Sequence, residues 1–205
     1  IVTCFLGIIG SDGEVQESHS WLANPGVAIP EQAAAVHGIT TEIAQEKGRD
    51  ASEVVSEIGE TVAQYFAQGT PVVAYNAAYD FSILHHEMLR HGLEPLADPR
   101  PIIDPLVIDR AVDTYRKGKR TLGMAAAHYL VALDDSHQAD ADAIAAGRVA
   151  QAILRAHGDA LSGDAQWLHD QQIEWAKSWA ENYQKFRRGS GDPGFVASGE
   201  WPVRR

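Results

Sequence analysis

A short, continuously apolar segment, Pro71–Tyr75, restricts the choice of fold more than any other feature of the chain. A run of this length is typical of a strand that is covered on both faces. It follows Ala51–Gln68, where apolar residues recur at helical spacing, and it precedes a second helical segment, Phe81–His91. Helices that alternate with strands in this way predict an α/β layer fold with a mixed sheet.

The segments on either side extend this pattern. Ile1–Ile9 and Val15–Leu22 are predicted to be antiparallel strands, because Asp-Gly between two apolar stretches is a hairpin signal. A short helix is predicted after Thr40 or Thr41 and a short strand at Ile102–Ile103. Further helices are predicted at 106–114, 122–129, 139–157 and about 164–188.

The C-terminal part differs in character from the rest. Aromatic and apolar residues recur there at helical spacing, and this stripe either docks on the domain or binds a partner helix. Gly189–Gly194 predicts a flexible break, and we expect the tail to Arg205 to be peripheral. The predicted division is one α/β domain at 1–160, with a C-terminal helix and flexible tail at 161–205.

Composition limits the function classes. The formal net charge of −11 over 205 residues argues against a broad basic face that holds nucleic acid. Any phosphate contacts would come from a local patch such as Arg116–Arg120.

No apolar run approaches the roughly 20 residues that a bilayer requires, so we expect no membrane partner. The single Cys4 and the lack of a basic leader favour a cytoplasmic location.

Three side chains are candidates for chemistry. Asp80 follows the apolar strand closely, where sites of α/β proteins form, although it could equally be a helix N-cap. His137 and Asp142 flank the start of the Ala-rich helix at 139–157, so that a loop histidine and a helical carboxylate could face one site. Asp140 competes with Asp142, because a first-turn acid is favourable at any helix N-terminus.

Several motifs in this order resemble the DnaQ-like (DEDDh) exonucleases, a family that includes the proofreading epsilon subunit of bacterial DNA polymerase III. They are Val36–Thr40, Asn76–Asp80, Ile103–Leu106, Lys119–Leu122 and His137–Asp142. The resemblance covers roughly residues 1 to 155. It implies a ribonuclease H-like mixed sheet flanked by helices, with a C-terminal helical extension.

The resemblance also implies an activity. It is metal-dependent 3′→5′ hydrolysis of phosphodiester bonds at nucleic acid 3′ ends, with single-stranded DNA the expected substrate and nucleoside monophosphates the product. Two Mg²⁺ or Mn²⁺ ions would be held by Asp142 and Asp80, and His137 would be the general base. The residues implied to contact the substrate are His37, Gly38, Ile39, Asn76 and Tyr79.

The family also carries an Asp-x-Glu pair on its first strand, which comes before the segment that corresponds to residues 1–10. Asp12–Glu14 has the right spacing, but it lies at the tip of the predicted hairpin, so we do not assign it. The first catalytic strand is therefore expected either upstream of these residues or absent, in a truncated and inactive form. Unpaired backbone on its neighbours would be costly, which favours an upstream strand.

Other interpretations remain open. A non-catalytic module could use the same fold to bind a polymerase, and an RNA-trimming relative would share the site.

His85–Glu87 is interpreted as surface rather than a metal cluster, since adjacent helical side chains diverge by about 100°. Arg116–Arg120 could contact a nucleic acid strand or be a solvated loop. Asp104 is expected to cap the following helix rather than bind metal.

Overall fold

The computed structural model describes residues 1–133 and 139–205, and within them the strands form two small sheets. β1 (Thr3–Ile9) pairs antiparallel with β2 (Val15–Asn24), which pairs parallel with β3 (Arg49–Asp50). β4 (Val72–Val73) pairs parallel with β5 (Ile102–Ile103). The predicted mixed α/β fold is confirmed, but β4 is only half-buried, whereas its partner β5 is buried.

The helices follow the predicted positions closely. Their bounds are α1 Glu31–His37, α2 Thr41–Lys47, α3 Ala51–Ala67, α4 Ala77–Arg90, α5 Pro105–Val112, α6 Leu122–His128, α7 Ala139–His157 and α8 Ala165–Gly189. The largest difference in a predicted bound is at α4, which begins at Ala77 rather than Phe81. α1 and β3 were not predicted from the sequence.

Two groups of buried side chains form the core. In the first, Val54, Val55 and Ile58 of α3 face Phe81 and Leu84 of α4. The second lies between the C-terminal helices and β5, where apolar residues of α5, α6, α7 and α8 meet. Periodic apolar faces thus produce the helix packing that the sequence indicates.

The C-terminal helix docks on the domain, and this confirms one of the two interpretations of its aromatic stripe. Leu168 of α8 is 4% exposed, and Trp175 packs against both groups of core residues. The interpretation of the tail as peripheral is wrong at Trp201, which is 7% exposed and packs in the first group with Val203. The indole N–H of Trp201 also donates a hydrogen bond to a buried carboxylate, which helps to hold the side chain in the core. The division near residue 160 stays a prediction.

No helix in the described ranges is both long and apolar enough to span a membrane.

Candidate active site

The N-terminus of α4 is built around a buried carboxylate at the end of β5. Asp104, 1% exposed, accepts hydrogen bonds from the backbone N–H groups of Asn76 and Ala77, both at 2.9 Å. It also accepts from the N–H of Leu106 at 3.0 Å, and so it caps α5 as expected. One side chain therefore joins the ends of both parallel strands to the helices that follow them.

Asp104 is held from the C-terminal side of the chain as well. The indole N–H of Trp201 donates to its Oδ2 at 3.2 Å, and its backbone N–H donates to Oε1 of the buried Gln172 at 2.6 Å. Burial raises the pKa of Asp104, and the N–H donors around the carboxylate act in the opposite direction. A carboxylate with four N–H donors is well satisfied, which explains how it is accommodated in the core.

Asp80 lies in the first turn of α4, not at its N-cap. The N-cap is Asn76, whose φ of 67° gives the left-handed turn between β4 and the helix, a conformation that asparagine tolerates. An acid in the first helical turn is favoured by the helix dipole. The interpretation of Asp80 as an N-cap is therefore wrong, and its carboxylate is free for other contacts.

The environment of Asp80 disfavours its negative charge. Asp80 is exposed, but the protein atoms around its carboxylate reduce the solvation of the charged form, and this raises its pKa to about 6. The negative charge of Asp104 adds to the effect. Burial also raises the pKa of the Cys4 thiol to about 11, with a contribution from Asp80. Cys4 also packs against the first group of core residues, which includes Ala77 and Phe81 of α4, so the start of β1 lies near the start of α4.

The second half of α7 lies against the turn of the β1–β2 hairpin. Arg148 donates to the carbonyl of Gly13 at 2.9 Å, and Gln151 donates to that of Gly10 at 2.8 Å. Asp142 is six residues before Arg148, about 9 Å along the helix axis, and it is half-buried in the first turn of α7.

The same contacts concern the pair Asp12 and Glu14. Both lie in the turn between β1 and β2, and the neighbouring Gly13 is bound by the second half of α7. The turn is therefore at the end of β1 opposite to Cys4 and Asp80. This position supports leaving the pair out of the candidate site.

The other predicted site residues are placed as follows. His37 ends α1, Gly38 is left-handed at φ 74°, and the N–H of Ile39 donates to Nδ1 of His37 at 3.2 Å. Among the described residues, no hydrogen bond links this segment to α4. Asn76 and Tyr79 are exposed at the start of α4, with Tyr79 60% exposed. His137 lies outside the described residues.

Two carboxylates among the described residues are candidates to hold a metal ion. Within residues 1–133 and 139–205, no group of three or more His, Cys, Asp or Glu side chains is arranged to hold a metal ion. Asp80 and Asp142 can offer carboxylate oxygens, the ligand type that Mg²⁺ and Mn²⁺ prefer. A divalent cation bound at Asp80 would offset the negative charge that the environment of this carboxylate disfavours.

Comparison with known families identifies the chain. The family model described as "Exonuclease" matches residues 4–150, well over half of the sequence. The chain belongs to the DnaQ-like exonuclease family. The matched region contains β1 to α6 and the first part of α7, so Asp80, Asp104 and Asp142 all lie within the exonuclease domain.

Curated relatives of this exonuclease domain are much longer proteins. The PolC-type DNA polymerase III of Lacticaseibacillus paracasei is 29% identical over 142 residues, which is 69% of this chain and 9% of that protein. The corresponding polymerase of Streptococcus mutans is 30% identical over 145 residues, covering 70% of this chain and 9% of the relative. The chain thus spans less than a tenth of these relatives.

Solved exonuclease structures share the fold. Exonuclease X, solved in complex with 5′ overhanging duplex DNA, has a TM-score of 0.55 at 17% identity, covering 84% of this chain and 99% of that one. Exonuclease I has a TM-score of 0.63 at 17% identity, and the match covers 90% of this chain and 39% of that one. At this identity the similarity establishes a ribonuclease H-like fold and nothing finer.

Proposed function

We propose that this exonuclease-family chain is a metal-dependent 3′→5′ exonuclease that releases nucleoside monophosphates, with DNA as its main substrate. The observation that carries the proposal is the position of Asp80, in the first turn of the helix that follows β4 and whose N-terminus is held by Asp104. The choice of DNA is supported by Exonuclease X, which was solved with DNA, and by the PolC-type polymerases.

In this proposal Asp142 and Asp80 hold Mg²⁺ or Mn²⁺ in a two-metal site. When bound, such cations stabilise the attacking and the departing oxygens of a phosphodiester. His137 takes the proton from the nucleophilic water, a role suited to a group whose unperturbed pKa is near 6.5. His37, Gly38 and Ile39 line the pocket of the terminal nucleotide, with Asn76 and Tyr79 as further contacts.

Two more acidic ligands would complete the site. We propose that they form an Asp-x-Glu pair on a strand that pairs between β1 and β4. In the described parts of the chain, β1 pairs only with β2 and β4 only with β5, so each has a free edge. A strand between them would satisfy both edges and merge the two sheets into one. Activity then requires that strand.

The test uses the full-length protein and an oligonucleotide labelled at its 3′ or 5′ end. Asp80→Asn, His137→Ala and Asp142→Ala should each lower the rate of digestion at least about a hundredfold, and none of the three should lower the temperature of thermal unfolding. Asp140→Ala is the matched control, because Asp140 is exposed two residues before Asp142, and it should digest at the normal rate. Normal digestion by both His137→Ala and Asp142→Ala would rule out the site. Early loss of the 3′ label establishes the direction.

Binding measurements separate this proposal from a non-catalytic role. Calorimetry on the full-length protein should detect Mn²⁺ binding that Asp142→Ala weakens. No binding at all would favour an exonuclease-fold module that binds a partner. The relatives carry this domain within a polymerase chain, so a DNA polymerase is the partner class to test first by co-purification.

A further inference from the structure

The loop between α5 and α6, residues 113–120, is attached to the protein by its two arginines. Asp109 of α5 is 0% exposed and accepts from Arg116, and also from Arg120 at 2.9 Å. Arg120 also donates to the backbone carbonyl of Asp109 at 2.8 Å, and Arg116 donates to Asp113 at 2.7 Å. We call residues 113–120 the basic loop. Its arginines are structural, so they are not available to bind phosphates.

The two lysines of the basic loop face outward instead. Lys117 and Lys119 are exposed on either side of Gly118, whose φ of 104° allows the turn between them. Neither lysine forms an ion pair with another described residue. Because the arginines bind the buried Asp109, the backbone that carries the two lysines is held in place. This differs from a solvated loop, in which the charges would have no common support.

Tyr115 adds an exposed aromatic ring to the same loop. Its side chain is 95% exposed, the highest value among the exposed large apolar side chains of the described residues. Only Arg116, which is turned inward, separates it in sequence from Lys117. An aromatic face next to cationic groups is the combination that binds single-stranded nucleic acids, because bases stack on the ring while ammonium groups neutralise phosphates.

The basic loop is also next to the proposed active site. The hydroxyl of Tyr75 donates to the backbone carbonyl of Arg120 at 2.9 Å. Tyr75 directly precedes Asn76, the N-cap of the helix that carries Asp80. Lys119 is the neighbour of Arg120, with Cα atoms about 3.8 Å apart. The loop therefore lies beside the strand end that leads to Asp80.

We propose that Tyr115, Lys117 and Lys119 form a contact surface for a single-stranded nucleic acid whose end enters the active site. The ring stacks on a base, and the two lysines contact the phosphates that flank it. The proposal rests on the proposed function for the location of the active site. A local basic surface is needed because a chain with a net charge of −11 repels a polyanion elsewhere.

The test measures binding without cleavage. The full-length protein is titrated in EDTA against fluorescent oligothymidylate and oligouridylate at several salt concentrations. Tyr115→Ala should weaken binding at least about fivefold, the lower limit for the loss of one stacked base. Lys117→Ala with Lys119→Ala should reduce the slope of log K against log salt by about 1.4, for two phosphate contacts on a single strand.

Matched controls come from exposed positions on α8. Phe186, 65% exposed, controls for the loss of an aromatic ring, and Lys177 with Lys185 controls for the loss of two charges. Their alanine variants should bind as the unaltered protein does. Losses on only one of the two oligonucleotides would identify the strand as DNA or as RNA.

Three results would overturn the proposal. They are loop variants that match the controls, an unaltered protein that binds neither oligonucleotide, and a blunt duplex that binds as tightly as single strands. Because binding is measured in EDTA, failure of the proposed function has a different signature. In that case the loop variants would lose affinity while no digestion occurs with Mn²⁺.

Discussion

The indole N–H of Trp201 donates a hydrogen bond of 3.2 Å to the carboxylate of Asp104, 97 residues earlier in the chain. The same carboxylate accepts from the N–H groups of Asn76 and Ala77, at the start of the helix that carries Asp80. The C-terminal tail therefore takes part in holding the first turn of α4. An apparently peripheral residue contributes to the geometry of the candidate site.

Replacement of this indole donor tests how much the bond contributes. Trp201→Phe keeps an aromatic ring but removes the N–H, which leaves the buried carboxylate with one donor fewer. We expect a loss of about 1–3 kcal/mol in the free energy of unfolding, measured by urea denaturation. Trp167→Phe is the control, because Trp167 is 36% exposed, and it should change stability by less than about 0.5 kcal/mol. Equal stability of the two variants would show that the hydrogen bond contributes nothing.

The elements that could be predicted from the sequence are those with local signals. The start and end of α7 at Ala139 and His157 match the prediction, because its composition and periodicity are self-contained. The hairpin follows from Asp12-Gly13. α1 was missed because Glu31–His37 has no buried residue and hence no apolar face to recognise. The early start of α4 was missed because a left-handed Asn76 is not visible in the sequence.

Removal of the charge at Asp80 should change how stability depends on pH. The pKa of this carboxyl is raised from 3.8 to about 6 in the folded protein, so folding favours its protonated form. The stabilisation is complete below pH 3.8 and is lost as the pH rises through about 6. Asp80→Asn should therefore gain stability relative to the unaltered protein as the pH rises to neutral.

The size of that gain is limited by solvent. Because Asp80 is partly exposed, screening reduces the effect to about 1 kcal/mol. Thermal unfolding at acidic and neutral pH without divalent cations gives the measurement. Asp140→Asn, at an exposed position of α7, is the control. A difference between Asp80→Asn and the unaltered protein that stays constant across this pH range would contradict the assigned environment.

The pKa of Asp109 is shifted in the opposite direction from that of Asp80, so its stabilising effect should depend on pH in the opposite way. Burial alone would raise the pKa of Asp109, but hydrogen bonds from Tyr129 and Arg120 and the charge of Arg116 lower it overall. Tyr129→Phe removes a donor at 2.8 Å and should cost about 1.5–3 kcal/mol of unfolding free energy at neutral pH. Tyr115→Phe, at a 95% exposed position, should leave stability unchanged.

The pH dependence follows from the direction of the shift. A lowered pKa means that the stabilisation is present above the ordinary value of 3.8 and is lost as the pH falls through the folded-state value. The difference between Tyr129→Phe and the unaltered protein should therefore shrink in acid. Denaturation curves at neutral and acidic pH measure it, and a difference that grows in acid would refute the assignment.

Parts of the site that depend on distant partners could not be predicted from the sequence. The motif Asn76–Asp80 is local and was recognised. By contrast, Asp104 donates to Gln172, 68 positions away, and accepts from Trp201, 97 positions away. The basic loop shows the same limit. Arg116 and Arg120 cannot be distinguished from Lys117 and Lys119 by charge, and only the buried Asp109 shows which of them turn inward.

A glycine at the junction of α2 and β3 gives a test of the fold itself. A Cβ atom on Gly48 would clash with the carbonyl oxygen of Ala44 and would lie 2.6 Å from the amide nitrogen of Asn24. Both are backbone atoms, and Asn24 belongs to the strand that pairs with β3, so neither can move without disturbing the sheet. Gly48→Ala should therefore lower the free energy of unfolding by about 1–3 kcal/mol.

The matched control for this substitution is Gly158→Ala, because no heavy atom lies within 4 Å of the Cβ position at Gly158. There we expect a change within about 0.5 kcal/mol in either direction. Urea denaturation of both variants, with the same probe, measures the difference. If Gly48→Ala is as stable as Gly158→Ala, then α2 does not approach the end of β2 as closely as described. The position of the segment between His37 and Thr40, which leads into α2, would then need revision, and with it the proposed nucleotide pocket.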